Sequence, residues 1–409
     1  MYHYRKAIDL YEKSFDDEFS SDDIVANVAR YIAMRAYTNL GNLLHAVGRY
    51  IAAIDCFQNA LIISDNFAIA SLNLSFLLFN YAQLQIKSYE RDYFNHACFH
   101  FYEQTKRTKI NLESEQYLEK LQECINNFTP AYINGFLKQP LDLPLLQISD
   151  PNENSYRQYI LRSSLFLEPC LEILSDPCFA VDSLTLPIFV SDDPCGKEYI
   201  GLFNQIKQEF NLARYLWYKT TETSEKISHF SDKELNLIDT GDGADFSLQE
   251  GLLRAAFKSI YSVFDRIAFF INAYFHVGIT STNIRFKNIW KEVLRDQNGN
   301  VFFEIPNPIV KTHEHNPLIN AMYWLQKDFF ENKNTTITDP GAEPIFKMRN
   351  DMEHNCLRTG KQTYETNFTK YTSKWIIENN TYKLLKLARE LIIYLCLSIA
   401  FENKHKKNS

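Results

Sequence analysis

The sequence predicts an all-α protein, and three observations carry that prediction. Gly (12) and Pro (13) are both scarce in a chain of 409 residues, which disfavours the many tight turns of barrels and sandwiches. Apolar residues recur at helical spacing through the first 125 residues and again from about residue 201. Hydrophobic residues make up 45% and charged residues 23%, the balance of a globular chain with ample core, which excludes disordered and fibrous classes. The length suits two or three domains. Three parts are expected: helical repeats over 1–125, a connector over 126–200 and a helical bundle over 201–409.

The first part reads as paired amphipathic helices. Tyr37, Leu40, Gly41 and Leu44 share one helix, and Ala53, Phe57 and Ala60 the next. The small residues let two antiparallel helices approach, while Leu40, Leu44 and Phe57 fill the seam. This spacing resembles the tetratricopeptide (TPR) repeat, with Asp65 where proline is usual. The pattern recurs upstream as Ala7-Tyr11-Ser14, displaced by 46 residues, which requires an insertion around Asp16 to Asp23. Leu74, Ser75 and Leu78 start a third, poorer copy. Tyr4 to Ser14 reads as a second helix lacking its first, so either the chain starts inside a repeat or a longer protein begins upstream. TPR-like architecture allows a protein partner on this part; the plainer alternative is a hairpin array with no ligand.

From residue 126 to 200, eight prolines interrupt helical periodicity, which predicts a connector with short helices such as Tyr156 to Phe166 and no chemistry of its own. Long helices return at Gly201 to Ser224 and at Ser247 to Val277. Ser247 is the expected N-cap of the second, with Glu250 three residues on. Its middle, Ala255 to Phe270, is apolar on most faces and must lie deep in a bundle. Asp265 within it is costly unless paired or hydrogen-bonded. Asn298-Gly299 before Val301 to Ile305 predicts a small inserted hairpin. Further helices are expected at Asn316 to Asn332, at Pro344 to His354 with Pro344 in the first turn, and at Thr381 to Ala400.

Net charge is −7, which argues against non-specific coating of nucleic acid. Lys347 to Ser409 nonetheless carries 12 Lys and Arg against 6 Asp and Glu, while the remainder holds 31 against 44. Such asymmetry marks an anion site or a solvated helix with a charged tail at His405-Lys406-Lys407. The eight cysteines form no C-x-x-C pair and read as reduced, buried thiols. The N-terminus lacks the apolar core of a signal peptide, and the run from Leu391 to Phe401 is too short to span a bilayer. A cytoplasmic location without membrane association is expected. His313-Glu314-His315 could ligate a metal, but such a pair in a loop is more often a surface feature. Gly241-Asp242-Gly243 lacks the strand a phosphate loop needs. No cofactor and no metal are expected.

The chemistry concentrates in Arg349-Asn350-Asp351-Met352-Glu353-His354. An arginine fork binds phosphate bidentately, and a histidine near neutral pKa moves protons. Together they suffice for metal-independent cleavage of an RNA backbone. On a helix, Asn350 and His354 are i,i+4 neighbours, as are Arg349 and Glu353, so one polar surface is expected to present all four. With 16 arginines and 10 histidines, about one such spacing arises by chance. Arg91 to His96 is a second match, read as a decoy in the repeat part.

The C-terminal half resembles the HEPN superfamily, all-helical domains defined by Arg-x(4 to 6)-His, often with a polar residue after the Arg. The resemblance rests on Phe264 to Phe275, Phe286-Lys287-Asn288-Ile289-Trp290 and Arg349-Asn350-x-x-Glu353-His354. It implies an RNA substrate, catalytic roles for Arg349, Asn350 and His354, and support from Glu353 and Asp265. It further implies a toxin or phage-defence setting and a homodimer in which two motifs form one composite site. The apolar helices around Phe264 to Phe275 and Leu391 to Phe401 are expected to supply the dimer face, the alternative being a tightly packed monomer core. The alternative is a non-catalytic scaffold that binds RNA or a protein partner.

Overall fold

The structure, a computed structural model, describes residues 1–14, 24–108, 112–144, 148–187, 194–221, 230–235, 237–238, 241–295, 297–299, 301–306, 308–328, 339–354, 356–360, 364–366 and 369–408. Most of them are helical, and the fold class is all-α.

Six helices open the chain: α1 (Tyr2–Ser14), α2 (Ile24–Ala46), α3 (Tyr50–Ile63), α4 (Ala68–Leu84), α5 (Ser88–Lys106) and α6 (Leu112–Asn126). The insertion expected around Asp16 to Asp23 lies outside the described residues. α2 and α3 form a hairpin whose close approach depends on Gly41, since a Cβ there would stand 2.7 Å from a ring carbon of Phe57. In the hairpin of α4 and α5, the Ser75 hydroxyl donates to the Cys98 carbonyl at 2.7 Å, and the Tyr81 and Phe94 rings meet edge to face at 4.8 Å.

The connector holds α7 (Pro130–Tyr132), α8 (Pro151–Arg162) and single turns at Pro169–Glu172 and Pro177–Phe179. Four of its prolines, Pro130, Pro151, Pro169 and Pro177, each open one of these elements. Thr129, Asp150, Glu168 and Asp176 cap them by accepting backbone N–H bonds, and a proline costs nothing where the first N–H has no helical partner. Helix α8 therefore starts five residues before the expected Tyr156.

The C-terminal part contains α9 (Gly196–Thr221), α10 (Phe230–Lys233), α11 (Leu248–Tyr274), α12 (Pro308–Thr312), α13 (Pro317–Leu325), α14 (Ala342–His354) and α15 (Lys374–Asn408). Helices α9, α11 and α15 pack on one another, with α13 against α15. The expected hairpin is present as β1 (Lys291–Arg295) antiparallel to β2 (Val301–Pro306). A second sheet was not expected. Directly after α14, β3 (Cys356–Thr359) runs parallel to β5 (Thr369–Thr372), and β4 (Tyr364–Glu365) pairs with β5 on its other side.

The apolar run in α15 requires a correction. From Leu391 to Ala400 each residue is buried within the chain itself, because α15 is clasped on all sides. Ile51 N–H donates to the Tyr394 hydroxyl at 2.8 Å, the Cys396 thiol to the Thr185 carbonyl at 3.0 Å, and the Asn316 amide to the Ser398 carbonyl at 3.1 Å. In α11, Phe264, Ile267, Phe270 and Ile271 are likewise buried. Most of the apolar surface expected for a dimer is thus consumed by intramolecular packing, while Phe269 of α11 stays exposed.

Buried arginines bind the three parts together. Arg49, at the head of α3, bonds Asp328 beyond α13 and Glu390 of α15, and Arg5 of α1 bonds the same Asp328. Arg389 of α15 donates to the carbonyls of Phe166 and Glu168 and pairs with Glu172. Arg214 of α9 pairs with Asp182 at 2.7 Å and donates to the Leu165 carbonyl.

Candidate functional site

Helix α11 starts where the sequence places it: the Ser247 hydroxyl accepts from Glu250 N–H at 3.3 Å. The Glu250 carboxylate does not close a capping box but turns to Arg254 and to the Thr359 hydroxyl of β3. One face of α11 (Leu253, Ala256, Phe257, Ile260, Val263, Phe264, Ile267) is buried core. Along its edge run Arg254, Lys258, Tyr261 and Asp265 at spacings of four, three and four, a single helical stripe.

Helix α14 reaches this stripe through its side chains, Arg349 to Tyr261 and Glu353 to Lys258. Asp339 holds its start, accepting from Gly341 N–H at 2.7 Å. Buried Ile345 and Met348 anchor it, and Asp351 pairs with Lys370 of β5 at 3.0 Å. The guanidinium of Arg349 then sits 5.5 Å from the centroid of the Tyr261 ring and donates to the Asn350 side-chain oxygen at 3.2 Å. A cation over a ring face is electrostatically favourable. Burial pushes the Tyr261 hydroxyl far above its ordinary pKa, against the opposing charge of Arg349, so this phenol is neutral.

Asp265 is satisfied rather than stranded. It accepts from Phe286 N–H at 2.9 Å, and Arg285 lies 3.8 Å away. Burial raises its carboxyl above the ordinary range, while the Phe286 bond and the charges of Arg285, Arg349 and Lys287 oppose the shift. Glu353 is paired with Lys258 at 3.5 Å, both side chains partly exposed, a geometry that contributes little to stability.

His354 is the last residue of α14 and is exposed. The imidazole makes no hydrogen bond to a described residue. The polar surface expected to carry all four motif side chains is therefore divided. Arg349 and Glu353 turn toward α11 and Asn350 accepts from the Arg349 guanidinium, while His354 at the end of the helix is exposed. Sequence reasoning missed Lys258, Tyr261 and Arg285. The positions four and seven residues before Asp265, on the same helical stripe, were the available signal for Tyr261 and Lys258; Arg285 comes from outside the helix.

The other clusters resolve differently. His96 of the second match bonds the Gln139 carbonyl at 2.8 Å and packs its ring on Phe136, a structural role. His315 lies 3.3 Å from Glu402 and its ring 4.6 Å from that of His405. Among the described residues, no group of three or more His, Cys, Asp or Glu could hold a metal ion. Among the described residues, too, no helix is long and apolar enough to cross a membrane.

A helical bundle that presents Arg-x4-His on a helix laid against its core defines the HEPN class of domain. Residues 190–402 match the family described as LA2681-like HEPN, and the chain belongs to that family. Neither the curated proteins nor the solved structures contain a match to it.

Proposed function

We propose that this chain is a metal-independent endoribonuclease. The observation that carries the proposal is the pairing, on one helix, of an arginine held over Tyr261 with a solvent-accessible histidine five residues on. Arg349 grips the scissile phosphate, Asn350 orients it, and His354 takes the proton from the ribose 2′-hydroxyl. The freed oxygen attacks phosphorus, the 5′-oxygen leaves with a proton from an acid, and a 2′,3′-cyclic phosphate remains. Asp265 and Tyr261 fix the guanidinium, and Glu353 holds Lys258 beside it.

One chain offers one imidazole, whereas this reaction uses a base and an acid on opposite sides of phosphorus. A homodimer that faces two α14 helices across a cleft supplies both. With the long apolar helices largely buried, the dimer uses the face of Asn350 and His354 instead. The N-terminal hairpins are TPR-like, and their buried weld to α15 through Arg49 lets a protein partner on residues 1–125 act on the bundle. A cytoplasmic toxin or phage-defence role suits such a nuclease.

The test is incubation of purified protein with total RNA. Wild type and His96→Ala cut, and His354→Ala does not while keeping its helical circular dichroism. Equal losses at His96 and His354 would mean that the motif is misassigned, and RNA bound and never cut would leave a binding scaffold instead.

A further inference from the structure

Beside the motif, between α11 and β3, lies an open groove of about 540 Å³. Its walls include Phe246, Arg254, Lys258, Met352, Cys356 and Arg358, and among the described residues that line it none is acidic. Three cations facing one groove on a chain of net charge −7 is an arrangement that selects an anionic occupant.

The cations are held yet not used up. Arg358 donates through Nη1 to Asp242 at 2.9 Å and to the Tyr371 hydroxyl at 3.2 Å, while its Nε and Nη2 bond no described residue. Arg254 is held by Glu250 at 3.0 Å and Thr359 at 3.4 Å through Nε and Nη2. Lys258 is 47% exposed and engages only Glu353 among the described residues. Phe246 is 46% exposed, with the Arg358 guanidinium 5.7 Å from its ring centroid. A positive groove with an accessible aromatic ring is the equipment that single-stranded nucleic acid requires: cations for phosphates and a ring on which any base can stack.

The groove also continues the motif. Lys258 is one turn from Tyr261 on α11, and its partner Glu353 is one turn from Arg349 on α14. From Arg254 to Asp265 the stripe runs about 16 Å at the helical rise.

We infer that this groove binds single-stranded RNA on one side of the scissile bond, with Lys258, Arg358 and Arg254 on its phosphates and Phe246 under one base. The assignment rests on the ribonuclease reading of Arg349 and His354, and a binding experiment separates the two. The probe is a fluorescein-labelled 2′-O-methyl oligonucleotide of twelve residues, which lacks the attacking hydroxyl and cannot be cut. Anisotropy is measured over a salt series for wild type, Lys258→Ala, Arg358→Ala, Phe246→Ala and Lys120→Ala, the last being an exposed lysine of α6.

Each groove substitution raises Kd, by about tenfold for Phe246→Ala. Each lost phosphate contact flattens the slope of log K against log salt by about 0.7. Lys120→Ala changes neither. Lys258 is exposed enough that its removal spares the fold, so that variant decides the matter if Arg358→Ala misfolds. Absence of binding by wild type, or equal Kd and slope for wild type and Lys258→Ala, overturns the groove. Groove effects on Kd with no cleavage of the all-ribose oligonucleotide overturn the nuclease alone.

Discussion

The guanidinium of Arg49 meets the carboxylate of Glu390 at 2.7 Å, across 341 positions of sequence. Both side chains are almost wholly withdrawn from water, and Asp328 completes the cluster. The N-terminal helices and the C-terminal bundle are thereby joined through charges that neither part can leave unpaired. Arg49→Ala strands the buried Glu390 carboxylate, while Arg5 still holds Asp328, a loss of about 3–5 kcal/mol. Urea unfolding followed by circular dichroism measures it. A loss below 1 kcal/mol would mean that the two parts are not held at this point.

The same seam depends on Gly48. Its φ of +83° lies in the left-handed region, and a Cβ there would stand 2.2 Å from the Pro317 carbonyl oxygen. Gly299 has a similar φ of +81° with open space around it. Gly48→Ala is expected to cost about 2–5 kcal/mol, strain and overlap together, against about 1 kcal/mol for Gly299→Ala. Equal costs in thermal melts would count against the α3 to α13 contact.

Mild acid should weaken the N-terminal hairpins through their histidines. Burial lowers the pKa of His45, whose ring lies between Tyr50 and Asn80. The imidazole is thus neutral in the fold, and the unfolded chain binds the extra proton. Its stabilising contribution is present above the unfolded value of about 6.5 and is lost as pH falls through 6.5 toward the lowered folded value. His100, also lowered by burial, adds in the same direction. The urea midpoint should fall between pH 7.5 and 5.5, and less so in His45→Gln. Parallel falls in both proteins would contradict the assignment.

Much of this was legible from residues alone. Ser247 capped its helix, Asn298-Gly299 made its hairpin and Gly41 faced Phe57 because each is a local rule satisfied within a few residues or one helix pair. The sheet of β3, β4 and β5 was not legible. Its strands are two to four residues long, and only the alternation in Thr369-Lys370-Tyr371-Thr372 hinted at it. The apolar run of α15 was misread because periodicity reports how much apolar surface a helix has, not how many neighbours cover it. At the site, the motif spacing pointed to α14, but which of its side chains turn toward α11 followed from how α14 reaches Tyr261 and Lys258. Those partners are remote in sequence.

A composite site makes a distinctive demand. The wild-type dimer carries two imidazoles, whereas a mixed dimer with His354→Ala carries one and lacks either the base or the acid. Exchanging wild type with an excess of His354→Ala after mild denaturant should therefore suppress cleavage below that of the same amount of wild type alone, and sedimentation at micromolar concentration should show dimers. Undiminished cleavage in the exchanged mixture would contradict a shared cleft.

The central claim is that side chains alone, Arg349 and His354, cleave RNA. It is tested most directly by end-group analysis of RNA digested in excess EDTA. The account predicts undiminished cleavage in wild type, products ending in 2′,3′-cyclic phosphate and 5′-hydroxyl, and loss of both in His354→Ala. Products with 3′-hydroxyl ends, or activity abolished by EDTA and restored by magnesium, would contradict it.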